Sequence, residues 1–340
     1  MNNIDKTINL GLQLLRLISC FWVVINHCYY SGWNVNLKYF LYQKPFHVPC
    51  FMFMSFYFFY KHIIKREVNK IKQRFQRLII PYVIWPFIFL LINNLGIKYF
   101  GNGKYGKYIS VKDYFYQIIT GTKYFPIFWY LTVLLLFSNF FTIIAFIIPH
   151  YFLFFIHLFA YFFYGIHLSS LYDYLIKNNL FTALLVLSIR IFPIAVIGLI
   201  FGSYNLIFCF KKHYIRNIIL NSSILYLIIK YNIFTFKNIY IYQDVGTNTI
   251  ASFNLFCIFG LIPFENIKNK TIISIIRHIT NYTGGIYYLH PFTSYYLQKI
   301  FINVRKKNLF GIFLIYIYVY IICFLGNKLL STNKIKYLFN

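Results

Sequence analysis

Apolar residues in this chain fall in runs near twenty residues long, divided by short polar connections. A run of that length crosses the hydrocarbon of a bilayer as one α-helix, since about 20 residues at 1.5 Å rise cover about 30 Å. The pattern predicts spans at 8–30, 46–62, 78–97, 126–148, 151–168, 187–210, 217–229, 249–263, 271–297 and 309–327. The expected fold is therefore all-α, a polytopic membrane bundle of about ten transmembrane helices forming one domain over residues 1–340. The seventh span is short and the eighth is weak. No internal repeat stands out, and the longest connection, Lys98 to Phe125, contains Gly101, Gly103 and Gly106.

Composition agrees with the pattern. With 60% hydrophobic and 11% charged residues and a mean hydropathy of +0.62, the chain has more apolar surface than a soluble core can use. Abundant Tyr and Phe beside scarce Ala and many Ile, Asn and Lys suggest an A/T-biased coding sequence, so part of the aromatic content is drift. A net charge of +27 would point to nucleic acid in a soluble protein, but here the cations sit in the connections, where anionic lipid headgroups are the expected partner. Seven of them crowd the seventeen residues from Lys61 to Arg77. Such a loop rarely crosses a bilayer, which places it, and with it both termini, on the cytoplasmic side of a cell membrane. The six cysteines (Cys20, Cys28, Cys50, Cys209, Cys257, Cys323) lack the paired spacing of a zinc site or a redox dithiol, and no metal is expected. The N-terminal apolar run is too long for a cleavable signal, is interrupted by Arg16, and has no small-residue cleavage site.

The polar exceptions inside apolar sequence carry the candidate chemistry, because burying a charge or an imidazole in a membrane costs free energy. Arg16 and His27 stand eleven residues apart in the first span. That step returns to nearly the same helix face and separates them by about 16 Å, a cation near one membrane surface and a titratable base near the other. Taken singly, Arg16 reads equally as a snorkelling side chain and His27 as an interfacial cap. The second span opens Pro45-Phe46-His47-Val48-Pro49 and reaches Ser55, which brings a second imidazole to the His27 end; Ser55 alone reads as a hydroxyl bonded back to its own helix.

Arg74 and Arg77 share a helix face just before Pro81-Tyr82, a spacing that suits polyphosphate binding and equally suits positive-inside flanking. Pro81 is expected in the first turn of the third span, where proline is tolerated. Arg190 precedes Gly198 and Gly202, a small-xxx-small spacing for close helix packing, and is either an outer-side ligand or a headgroup anchor. His290, followed by Pro291, puts a third imidazole in the ninth span. None of the six acidic residues (Asp5, Glu67, Asp113, Asp173, Asp244, Glu265) falls clearly within a span, which disfavours a carboxylate-driven proton pump or cation channel.

Four of these segments in order resemble the acyltransferase-3 family of integral membrane acyltransferases. They are Arg16 with His27, Phe46-His47-Val48-Pro49 with Ser55, Arg74-x-x-Arg77 into Pro81-Tyr82, and Tyr287-Tyr288-Leu289-His290-Pro291. Phe128-Trp129-Tyr130-Leu131 and Ile191-Phe192-Pro193 agree with the family between them, and together they cover almost the whole chain. The resemblance implies an acyl-CoA co-substrate, usually acetyl-CoA, reaching the protein from the cytoplasm, an acceptor hydroxyl on a glycan or lipid-linked sugar, and no resident cofactor. It implies that Arg74 and Arg77 hold the CoA phosphates, that Arg16 steers the pantetheine or thioester, and that His27 is the general base, with His47, Ser55, Arg190 and His290 toward the substrates. One departure stands out: the family's serine is usually followed by Gly, and Ser55 is followed by Phe56. A rival reading, an exporter of glycan or lipid intermediates, also accounts for intramembrane arginines and glycine pairs but predicts paired halves that are not seen. A structural scaffold leaves Arg16 and His27 without a role.

Overall fold

The computed structural model describes residues 3–27, 47–101, 107–120, 128–167, 180–204, 210, 212–235, 245–262, 269–300, 309–329 and 337–338. Among these residues there are twelve α-helices and no strand. They are α1 (Asn3–His27), α2 (His47–Ile64), α3 (Val68–Phe100), α4 (Val111–Thr120), α5 (Trp129–Ile147), α6 (Phe152–His167), α7 (Leu180–Tyr204), α8 (Tyr214–Thr235), α9 (Val245–Leu261), α10 (Lys270–Thr280), α11 (Thr283–Ile300) and α12 (Leu309–Leu329). Three contain stretches long and apolar enough to cross a membrane by themselves, Val68–Tyr99, Trp129–Ile147 and Phe310–Leu329, and Leu10–Ile25, Pro149–Phe162, Ile191–Tyr204 and Thr249–Leu261 are shorter apolar stretches. The protein is an integral membrane helical bundle.

Helix α2 is the axis of the packing. It lies against α1, α3, α5, α7 and α9, most extensively against α7, and Met52, Phe53, Phe56 and Phe59 along it are almost wholly buried. The reason α7 comes so close is Gly198 and Gly202. A Cβ at Gly198 would stand 2.7 Å from the Phe53 carbonyl oxygen, and one at Gly202 would stand 2.6 Å from that of Tyr57. The glycine pair read from the sequence is a backbone-to-backbone contact between these two helices.

The sixth and seventh expected spans, 187–210 and 217–229, are the helices Leu180–Tyr204 and Tyr214–Thr235, and three further departures have a readable reason. The third helix begins at Val68, ten residues before the expected span, so Arg74 and Arg77 belong to it and Pro81 and Pro86 lie inside it, not in its first turn. Each proline removes a helical hydrogen bond, an interruption tolerated in membranes where neighbouring groups satisfy the freed carbonyl. The Lys98–Phe125 connection contains α4, which starts with a reciprocal cap: the Ser110 hydroxyl accepts from the Asp113 amide (3.2 Å), and the Asp113 carboxylate accepts from the Ser110 amide (2.9 Å). The expected ninth span is two helices, α10 and α11, divided at Asn281 and Tyr282. The hydroxyls of Thr280 and Thr283 bond back to the carbonyls of Ile276 (2.6 Å) and Thr280 (2.9 Å), and Gly284-Gly285 follows, so this stretch favours a turn over continued helix.

Between α2 and α3 the chain reverses in three residues. Arg66 adopts a left-handed conformation (φ 50°), its amide donates to the Ile63 carbonyl (3.0 Å), and the Glu67 amide donates to that of His62 (3.0 Å). These two bonds form a Schellman closure, with arginine at the position glycine usually takes. The turn folds the Glu67 carboxylate back onto the His62 ring, Nδ1 to Oε2 at 2.6 Å.

Candidate active site

A cavity of about 530 Å³, within the size range of small-molecule sites, opens among α1, α2, α3, α5, α10 and α11. Its polar wall comprises Gln13 and Arg16 from α1, Ser55 and His62 from α2, Arg77 from α3, Tyr130 from α5, Thr280 and Asn281 at the end of α10, and Thr283, Tyr287 and Tyr288 from α11. The Arg16 side chain is exposed and borders this space. Tyr130, Tyr288 and Arg77 lie within its electrostatic reach. The break between α10 and α11 matters here. It brings the first turn of α11, with Thr283 and Gly284, to the cavity wall, where amides at a helix N-terminus favour anions. Cys20, one turn beyond Arg16, donates its thiol to the Thr283 carbonyl (3.4 Å) and ties α1 to that turn.

The two arginines of the Arg74-x-x-Arg77 pair have different surroundings. Arg77 is exposed, lies on the cavity wall, and holds its guanidinium 5.7 Å from the Tyr337 ring centroid. Arg74 turns into the bundle. Its Nη2 donates to the Ser55 hydroxyl (2.8 Å), its Nη1 to the Ser55 carbonyl (3.3 Å) and its Nε to the Ser138 hydroxyl (3.1 Å), joining α2, α3 and α5. The guanidinium also sits 5.2 Å from the Phe56 ring centroid and 4.1 Å from that of Phe59. Phe56, the residue that departs from the family pattern after Ser55, thus forms one wall of the Arg74 cage. Ser55 borders the cavity, and its hydroxyl accepts the Arg74 hydrogen bond.

At the opposite end of the bundle, His27 on α1 and His290 on α11 meet with ring centroids 4.9 Å apart and planes at 54°. His27 is exposed, and His290 is fully buried. The Nδ1 of His290 lies 3.2 Å from the Ile286 carbonyl oxygen one turn back; an oxygen only accepts, so Nδ1 carries the proton and Nε2 keeps the lone pair. His47, buried in the first turn of α2, is within electrostatic reach of His27, which makes a third imidazole at this end. Among the described residues no group of three His, Cys, Asp or Glu side chains could hold a metal ion. Arg190 belongs to α7, but its side chain lies outside the described residues, as do the acidic residues Asp173, Asp244 and Glu265.

Aromatic rings occupy the space between the cavity and the histidines. Phe51 and Tyr130 approach at 6.5 Å, Tyr130 and Tyr287 at 5.6 Å, and Tyr287 and His290 at 6.2 Å, while Phe128 stacks on Tyr288 at 5.9 Å. Tyr287 therefore borders the cavity and also approaches His290. The sequence reading missed His62, Gln13, Asn281 and the roles of Tyr130 and Tyr288 as cavity wall. His62 had no periodic signal, since its pairing with Glu67 depends on the left-handed turn at Arg66. For Asn281 the signal existed, in the Thr-Asn-Tyr-Thr-Gly-Gly run that interrupts an otherwise apolar span.

A family model described as an acyltransferase domain matches residues 9–328 of the chain. No curated protein and no solved structure matches it.

Proposed function

Since the chain belongs to the acyltransferase-3 family and is a membrane acyltransferase, we propose that it moves a short acyl group, acetyl first among them, from acyl-CoA to a hydroxyl of a carbohydrate or lipid-linked glycan. The observation that supports this reading is one cavity whose wall includes both Arg16 and Arg77 and which borders a tyrosine layer backed by the His27–His290 pair. In this reading the Arg77 end faces the cytoplasm and the donor enters there. The phosphates lie against Arg77, and the pantetheine arm passes Arg16 toward Tyr130 and Tyr287. The rise of about 16 Å from Arg16 to His27 is on the scale of that arm.

The reaction balances with few groups. His27 takes the proton of the acceptor hydroxyl as its oxygen attacks the thioester carbonyl; a C–O bond forms, the C–S bond breaks, and the proton ends on the departing sulfur as the CoA thiol. The products are the acyl ester and free CoA. Arg74 acts at one remove, by holding Ser55 and the three helices that shape the cavity.

The test uses membranes bearing the full chain, supplied with [14C]acetyl-CoA and glycans or lipid-linked sugars extracted from the same cells. Label should pass to the glycan fraction, and His27→Ala should lower the rate by about 10²–10⁴-fold without loss of folded protein. Label that stays on CoA in the wild type, or a folded His27→Ala protein with near-normal turnover, overturns the reading.

A further inference from the structure

A base keeps one tautomer best against a fixed neighbour, and the acidic residues on the described helices and turns do not offer His27 one. Asp5 is on the same helix about 33 Å away. Glu67 is bonded to His62 at the other end of the bundle (2.6 Å), and Asp113 is bonded to Ser110 (2.8 Å). What faces His27 is imidazole: the His290 ring at 4.9 Å centroid to centroid, with His47 also within electrostatic reach. We propose that His290 is the positioning residue for His27: its buried Nε2 lies in a ring 4.9 Å from that of His27 and is the acceptor toward which the His27 ring N–H turns, which leaves the other His27 nitrogen to take the acceptor's proton. The proposal rests on the reading of His27 as the base.

Two features of α11 prepare His290 for this task. Its Nδ1–H is engaged by the Ile286 carbonyl, so the neutral ring has one tautomer, with the acceptor nitrogen at Nε2. Burial and the Tyr287 ring, 6.2 Å away centroid to centroid, confine it further. Pro291, next in the chain, contributes no amide hydrogen to the helix, so the ladder loosens just where the imidazole has to lean back on its own backbone. A neutral imidazole is a weaker acceptor than the carboxylate of a His–Asp pair. It still fixes tautomer and orientation, and His290 itself neither gains nor loses a proton through the cycle.

The test reads the tautomer directly and needs no acceptor sugar. The full chain, labelled with [15N-imidazole]histidine in lipid nanodiscs, is compared as wild type, His290→Phe and His290→Gln, with His27→Ala assigning the His27 signals. Wild-type His27 should show a single neutral tautomer, His290→Phe should show the averaged nitrogen shifts of an unconstrained imidazole, and Gln, whose amide oxygen accepts a hydrogen bond, should restore the single tautomer in part. In the acetyl-CoA assay His290→Phe should lower kcat about tenfold or more with KM for acetyl-CoA unchanged. A His27 that already averages in the wild type, or that keeps one tautomer in a folded His290→Phe protein, overturns the proposal. The spectra decide it whatever the turnover assay says of His27 as the base.

Discussion

Arg77 stands three positions after Arg74, and that step carries one guanidinium into a bonded cage and leaves the other on a cavity wall. The two should therefore fail differently. Arg77→Gln should weaken acetyl-CoA binding by about 1.5–3 kcal/mol, on the order of tenfold to a hundredfold in Kd, with thermal stability little changed. Arg74→Gln should lower the Tm of the purified protein by several degrees, because it strips hydrogen bonds from Ser55 and Ser138 and a cation from two aromatic faces. Calorimetry for the donor and a melting curve for each variant separate the cases; equal loss of binding at equal stability would return Arg74 to the donor site. The latch between His62 and Glu67 yields a pH prediction. The hydrogen bond from His62, first, holds the Glu67 carboxyl below its ordinary value of 4.5. Its stabilisation is therefore present above that value and lost as pH falls through the lower folded value. Between pH 6 and pH 3 the wild-type Tm should fall further than that of Glu67→Gln, which has no such contribution to lose.

At the scale of elements, the contact between α2 and α7 is the most extensive among the described helices. Gly202→Ala should lower stability by about 1–3 kcal/mol, since its Cβ would stand 2.6 Å from the Tyr57 carbonyl oxygen and backbone cannot give way as a flexible side chain can. Chemical denaturation in detergent checks it, and an unchanged midpoint would mean that the two helices are free to separate. The glycine spacing was legible because it rests on residue identity along one helix; which helix it meets was not, because that depends on how the bundle closes. The same contrast holds for the ninth span. Apolar content ran through Asn281 and concealed the break, yet the threonine hydroxyls and Gly284-Gly285 that cause it were in plain view. Hydropathy averages over a window, whereas a helix ends on the chemistry of a few residues.

At the scale of the whole molecule, the proposed mechanism needs opposite ends of the bundle to face opposite sides of the membrane. Single cysteines replacing Asn69 and Lys112 in a cysteine-free background test this with a membrane-impermeant thiol reagent. Both positions are exposed. If the Lys61–Arg77 turn is cytoplasmic, intact cells should label position 112 and leave position 69 unlabelled until lysis; the reverse pattern inverts the topology and with it the side from which the donor enters. The expected outer connection at Ser31–Lys44 lies outside the described residues. By itself the sequence determined the membrane class, the helical architecture, the family and the pairing of Arg16 with His27 on one face, because each follows from local composition, helical periodicity or an ordered set of short motifs. Only the tertiary structure decided that Arg74 is caged while Arg77 is not, that His62 lines the cavity and meets Glu67 across a left-handed turn, and that His290 meets His27 across 263 residues of chain. Those facts depend on where separate helices come to rest against one another, and contact between side chains far apart in the chain has no period along it from which it could be read.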